Sequence, residues 1–416
     1  MRGLGEALAA LDTRLRRFTP RPLAVAFSGG GDSLALLLIA RTWAQDNGRR
    51  LLVLTVDHGL QAAGAEWVRT CAATAGRLGL DFQALRWTGE KPKQGLSAAA
   101  RDARHALLAD ASRAAGARVI LMGHTADDRI EALRMRQDGA RTPDPRTWTP
   151  SPIWPQGRGL FLLRPLLSAR RADLRAWLIA QGESWIDDPA NTDPRFARAR
   201  ARSALAGGGE PGAEESVASA GRLALTCVAS AWGGLSTRRG IVREAHPAEA
   251  ARFLAAACLC AGGATRPPRG ERLMRLAAAV RSDESFKTTL AGARVEADAE
   301  SLGFWREPGE AARGGLTPLR LASSEAIVWD GRFEITTQIP DLTIRRLAGT
   351  AARLPVSERR ALAAVPAPAR GALPLLIKDD GGVTCPALAP VEGVRFRALA
   401  KDRLQAACGA IEREPD

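Results

Sequence analysis

The sequence predicts an α/β protein: a doubly wound, mostly parallel sheet at the N-terminal end, followed by smaller helical and α+β domains. Three observations carry this. Short apolar runs alternate with amphipathic helical stretches through the first half of the chain. A glycine-rich turn follows the first run, and a glycine-rich break at residue 207 separates this half from one of different character. Such alternation marks βαβ units, whose parallel strands are covered by helices on both faces.

In chain order, residues 23–27 read as a buried strand and residues 33–45 as a helix. Strand-like runs follow at 51–56, 81–87 and 118–122, each succeeded by a helical stretch, at 61–78, 96–115 and 124–136. Ligands of such sheets bind beyond the carboxyl ends of the strands. The chemistry is therefore expected just after Phe27, Val56 and Met122. Residues 138–158, rich in Pro, Gly and Trp and without a period, read as a long loop; residues 161–164 return to the sheet. Ser168 is the expected cap of a helix over 168–181. Gly207-Gly208-Gly209-Glu210-Pro211-Gly212 reads as a linker. The organisation expected is a sheet-bearing domain over 1–206, a linker over 207–215, a largely helical domain over 216–335 and a small α+β domain over 336–416. In the last, residues 373–377 form a strand running into a hairpin turn at Asp379-Asp380-Gly381-Gly382.

Composition narrows the class. The 416 residues carry 59 Lys plus Arg against 45 Asp plus Glu, a net charge of +14, and 46% are hydrophobic, which excludes a disordered chain. The longest apolar runs, 34–40 and 254–264, are shorter than the roughly 18–20 residues that cross a bilayer. Asp12 and Arg14-Leu15-Arg16-Arg17 interrupt any signal-peptide core, so the expectation is a cytoplasmic protein without a membrane partner. Cys71, Cys227, Cys258, Cys260, Cys385 and Cys408 never form a Cys-x-x-Cys pair and read as reduced structural thiols. Only Lys91, Lys93, Lys287, Lys378 and Lys401 are lysines, so the positive charge is nearly all arginine. Arginine grips phosphate bidentately and stacks on bases, which suits a nucleic-acid partner. A GC-rich coding sequence gives the same Ala- and Arg-rich composition.

The first strand runs straight into Ser28-Gly29-Gly30-Gly31-Asp32-Ser33, which opens a helix. Glycines let the backbone turn its N–H groups onto an anion, and the helix N-terminus adds a favourable dipole. This is a phosphate cradle, but no Lys precedes Ser33 as in a Walker A loop, and Leu34 stands where a dinucleotide loop has its third glycine. The carboxylate of Asp32 inside such a cradle calls for a cation, and Mg²⁺ between Asp32 and the phosphates is the inference. The second constellation follows residue 122. His124, Asp127, Asp128 and Glu131 are spaced i, i+3, i+4, i+7 and would share a helix face, where a metal, an ammonium group or arginines would balance the acids. Between the two, Arg101 and Arg104 share a helix face able to grip phosphate or carboxylate, and Asp57-His58 ends the second strand within reach of a nucleotide.

Ser28–Ser33 resembles the pyrophosphate loop, Ser-Gly-Gly-x-Asp-Ser, of the N-type ATP pyrophosphatases. Together with Val56-Asp57-His58-Gly59-Leu60, Ala100-Arg101-Asp102-Ala103-Arg104 and Gly123-His124-Thr125-Ala126-Asp127-Asp128, it resembles the tRNA(Ile)-lysidine synthetase family within that superfamily. Arg164-Pro165-Leu166-Leu167 and Trp185-Ile186-Asp187-Asp188-Pro189-Ala190-Asn191-Thr192-Asp193 extend the likeness, which covers residues of about 20–205. The resemblance implies a two-step ligase. ATP adenylates the C2 carbonyl oxygen of the wobble cytidine, position 34, of the isoleucine tRNA with a CAU anticodon. Free L-lysine then attacks C2 and displaces AMP. It further implies an ATP site formed by Ser28, Gly29, Gly30, Gly31, Asp32, Ser33, Asp57, His58 and His124, with Mg²⁺ on Asp32. Lysine and cytidine would meet Arg101, Asp127, Asp128 and Glu131, and Asp32, Arg104, Asp128 and Glu131 would carry the catalysis. The domains after the linker would hold the rest of the tRNA. Several positions depart from the family pattern: Arg129 and Ala132 replace a Gln and a Thr, His105 stands at an aromatic position, and no Asn occurs near Ala199. A thiolase-like tRNA-modifying enzyme and a silent RNA-binding module are the competing readings. Oligomeric state is left open, a homodimer included.

Overall fold

The computed structural model describes residues 2–140, 142, 144–188, 197–204 and 219–416. Two compact units result: Met1–Ser216 with Glu412–Asp416, and Val217–Ile411. The expected linker and residues 189–193 lie outside the described residues.

The first unit contains α1 (Arg2–Arg14), β1 (Leu23–Ala26), α2 (Gly31–Asp46), β2 (Leu51–Asp57), α3 (Gly64–Arg77), β3 (Asp81–Arg86) and α4 (Leu96–Ala114). It continues through β4 (Val119–Met122), α5 (Ala126–Gln137), β5 (Trp148–Pro150), β6 (Phe161–Leu163), α6 (Arg171–Ala180) and α7 (Ala197–Ala204). The sheet order is β3-β2-β1-β4-β6-β5, and only the edge strand β5 pairs antiparallel. Side chains alternate between two cores, as a sheet covered on both faces requires. Leu23, Val25, Leu51, Val53, Val119 and Leu121 pack with α1, α2, α3 and α6. Ala24, Leu54, Ile120 and Met122 pack on the other face with Leu108 and Ala109 of α4. Each fully buried Leu, Ile or Val side chain contributes roughly 1.5–3 kcal/mol relative to exposure. The apolar runs therefore hold the strands in register and deliver their carboxyl ends to one edge.

Two of the helix starts that differ from expectation bear on the site. The helix expected from His124 begins at Ala126, because Thr125 caps it. Asp128 Oδ2 accepts from the Thr125 backbone N–H at 2.8 Å and from its hydroxyl at 3.0 Å, closing a capping box. His124 therefore precedes the helix and does not share a face with the acids. The helix expected at Ser168 begins at Arg171, where Asp127 Oδ2 accepts the Arg171 N–H at 2.7 Å. A carboxylate from α5, rather than Ser168, satisfies that helix end. The 138–158 stretch also contains a short strand, β5, paired with β6.

In the second unit, Val228–Ala229, Leu235–Arg238, Phe286–Leu290, Ala293–Ala297 and Ser301–Arg306 form a five-stranded antiparallel sheet. The helix Pro247–Ala261 packs Phe253 and Leu254 with Val295 and Phe304 in one core. The region expected to be largely helical is thus a sheet with helices; strands such as Phe286–Leu290, with little apolar content, do not stand out beside its Ala-rich helical runs. The boundary expected between residues 335 and 336 falls inside the strand Phe333–Thr337, which pairs with Ile327–Trp329 and with Val394–Ala398. The hairpin forms where expected, with Pro374–Ile377 paired to Val383–Thr384. Arg239, buried, donates to the carbonyls of Ala279, Val280, Ser282 and Asp298, and so closes the carboxyl end of the helix Glu271–Arg281.

Candidate active site

The site lies beyond the carboxyl ends of β1, β2 and β4. After Ala26 the chain turns through Ser28-Gly29-Gly30 and starts α2 at Gly31. Gly29 has φ +81°, and a Cβ there would stand 2.5 Å from Ile186 Cδ1. The Ile186 N–H donates to the Gly29 carbonyl at 3.0 Å, so the 185–186 segment braces the loop from outside. Inside, Ser33 Oγ donates to the Gly30 carbonyl at 2.8 Å and accepts the Ser28 N–H at 3.2 Å. At Gly123 a Cβ would lie 3.0 Å from Ser33 Cα; only glycine lets β4 end against the loop. The first N–H groups of α2, which have no intrahelical partner, then face a cleft of about 500 Å³.

Ser28, Gly30, Gly31, Asp32, Ser33, Asp57, His58, Arg104, His124 and Asp128 line this cleft, as do Arg171, Arg175 and Arg202. Gly29 shapes the turn, while Arg101, Asp127 and Glu131 are not among the lining residues. Asp57 Oδ1 accepts the Gly59 N–H at 2.8 Å and so fixes the turn after β2. His124 Nδ1 accepts from Arg164 Nε at 3.3 Å. Burial, followed by Arg104, holds His58 below its ordinary pKa. His105 lies buried beneath, held down to about 3 by burial and then by Arg104, Arg101 and Arg164.

Arg171 ties the acids together. Its Nε donates to Asp32 Oδ2 at 2.8 Å, its Nη1 to Glu131 Oε1 at 3.0 Å, and its Nη2 lies 3.6 Å from Asp128 Oδ2. Arg202 Nε donates to the same Glu131 oxygen at 2.9 Å. The counter-charges of the acidic cluster are therefore arginines. Burial works against the Arg171 charge, but Asp32, Asp128 and Glu131 outweigh it and hold the guanidinium above its ordinary pKa. Burial pushes the Asp32 carboxyl up, with Arg171 opposing. Asp32 Oδ1 and Glu131 Oε2 are buried without a hydrogen-bond partner among the described residues. Asp32 thus keeps one oxygen fit for a cation brought in on a polyphosphate. No group of three metal-ligating side chains converges among the described residues.

Sequence reasoning missed Arg171 and Arg202. A signal for the first exists: Arg170-Arg171 opens a helix, where the dipole disfavours cations, so carboxylate partners must come from elsewhere. Thr125-x-x-Asp128 was likewise legible as a capping box.

The PP-loop domain family matches residues 6–207. Along its length the chain is 45% identical to the tRNA(Ile)-lysidine synthase of Caulobacter vibrioides, with 99% of each chain covered. The chain belongs to the tRNA(Ile)-lysidine synthase family. Relatives of the same name in Hyphomonas neptunium and Rhizobium meliloti are 36% and 34% identical, over 80% and 81% of this chain and 95% and 78% of theirs. In this lysidine synthase family member, Asp127 is committed to the end of α6, and Asp128 turns one oxygen, Oδ2, to both the α5 cap and Arg171. Asp32 and Glu131 retain the unsatisfied atoms.

Proposed function

We propose that this chain is a tRNA(Ile)-lysidine synthetase, a C–N ligase acting in the cytoplasm on the CAU-anticodon tRNA(Ile), with ATP, Mg²⁺ and free L-lysine. The observation that carries the reading is the glycine-rich loop set against half-buried Asp32 and buried Glu131, joined by Arg171, in a chain alike end to end with that family. The α2 amides take the β- and γ-phosphates, whose charge the helix end favours. Mg²⁺, carried by ATP and met by Asp32 Oδ1, would supply neutralising charge. The cytidine O2 attacks the α-phosphorus and the bond to pyrophosphate breaks; Arg104 stands in the cleft as the cation opposing the developing charge.

In the second step the ε-amine of lysine forms a bond to C2, the C2–O bond breaks and AMP leaves. The lysine ammonium must first lose a proton. Glu131, buried behind the cleft lining and paired with Arg171 and Arg202, is the carboxylate we assign to that proton, with Asp128 on the cleft side of Arg171. Arginines of the surface meet tRNA phosphates, and the Val217–Ile411 unit holds the parts of the tRNA away from the anticodon. Sulfur transfer fits less well. All six cysteines are buried, and burial raises the Cys227 thiol to about 11 and the Cys260 thiol to about 12.

The test is incorporation of labelled lysine into purified CAU-anticodon tRNA(Ile), with ATP and Mg²⁺, against an initiator methionine tRNA. Label is expected in the isoleucine tRNA alone. AMP release without label in either RNA would overturn lysine as the nucleophile.

A further inference from the structure

The rim of the cleft carries a group of side chains that the reaction above does not use. Trp87 follows β3, and its backbone N–H donates to the Asp57 carbonyl at 2.9 Å, which sets the indole beside the turn after β2. The His58 ring meets it edge-on, with centroids 6.4 Å apart and planes at 89°. Lys91 Nζ lies 5.4 Å from the centroid of the Trp87 ring and would be 3.4 Å from a Cβ at Gly59, so the loop after β3 folds back over that turn. Lys93 is exposed on the same loop, which thus holds two of the five lysines in the chain. Leu60, exposed at the same turn, lines the cleft; Trp87 is not among its lining residues.

An indole half-exposed beneath a solvated ammonium is a surface from which a flat ligand can displace the lysine at little cost. The freed ammonium, with Lys93, then has phosphates to meet. His58 adds a buried Nδ1 that has no hydrogen-bond partner. The position outside the nucleotide cleft favours a polymer base over the adenine of ATP. We propose that Trp87 and Lys91 form a stacking platform for an anticodon-loop base next to the one that enters the cleft, with Lys91 and Lys93 on the flanking phosphates. This rests on the reading that the substrate is RNA.

Direct binding of CAU-anticodon tRNA(Ile) and of ATP to the full chain tests it. Trp87→Ala should weaken tRNA binding about tenfold, the loss of one base stack, and leave ATP affinity within about twofold; Trp87→Phe should restore most of the loss. Lys91→Ala, at an exposed side chain that leaves the fold intact, should lower the slope of log affinity against log salt by about one. Weaker ATP binding with tRNA affinity unchanged would give the ring to adenine and overturn the proposal. So would unchanged affinity for both ligands. Because binding is read without turnover, wild-type protein that binds tRNA through Trp87 yet transfers no lysine would sink the lysidine reading and leave the platform standing.

Discussion

Two arginine–carboxylate clusters in the first unit use the same chemistry to opposite ends. At Arg49 the pairing is saturated. Its guanidinium meets both oxygens of Glu414 at 2.9 and 3.0 Å with both side chains essentially inaccessible, and its Nε donates to the Arg21 carbonyl at 3.1 Å. Glu414 also accepts the Arg16 N–H at 3.0 Å, and its own N–H donates to the Arg14 carbonyl at 2.8 Å. At Arg171 the pairing is incomplete: Asp32 Oδ1 and Glu131 Oε2 are buried with no hydrogen-bond partner among the described residues. A buried ion pair offsets its desolvation only when its remaining polar atoms are hydrogen-bonded. The first cluster therefore holds the chain end in place. The second leaves acceptor atoms unsatisfied, at a cost to the fold.

The largest effect that would sharpen this contrast is on chemistry. Asp32→Ala should lower lysine transfer by at least roughly a thousandfold while tRNA affinity stays within about threefold, since affinity is mostly arginine to phosphate. Its thermal midpoint should not fall, because burial already disfavours the Asp32 carboxylate and Arg171 keeps Glu131 and Asp128. A large loss of stability would break the comparison. Glu414→Ala should do the reverse. It strands the Arg49 charge and should cost about 3–5 kcal/mol in denaturant unfolding of the first unit, with transfer by the folded protein within about threefold; a silent substitution would show that the pair is not structural.

The smallest effect is a slope. His105 has its folded pKa lowered from 6.5 to about 3, so the stability it contributes is present above pH 6.5 and is lost as pH falls from 6.5 toward 3. His105→Phe, which restores an aromatic ring, should flatten the acid limb of midpoint against pH over that window. Superimposable profiles for the two proteins would show that His105 titrates in the fold as it does in the unfolded chain.

The parallel sheet was legible because its central strands β1, β4 and β6 are short apolar runs buried on both faces, and the loop because strand, glycines and helix are contiguous in Ser28–Ser33. The helix face drawn through His124, Asp127, Asp128 and Glu131 was not reliable. Periodicity counts residues but does not see that Thr125 and Asp128 close a cap, which leaves His124 outside the helix. Nor does it see that Asp127 serves the end of another helix 44 residues further along. In the second unit the strands Leu235–Arg238 and Phe286–Leu290 carry too few alternating residues to stand out among Ala-rich helices.

By itself, then, the sequence determined what adjacent residues decide: the βαβ order, the phosphate cradle, the acids near it, and the resemblance those motifs carry. Tertiary structure alone decided which charges neutralise which. Arg171 lies 139 residues from Asp32 and 40 from Glu131, and Glu414 lies 365 from Arg49. Coulombic pairing depends on distance and dielectric in the folded chain. Only packing of the helices and of residues 412–416 against the sheet brings those groups within 3 Å of one another.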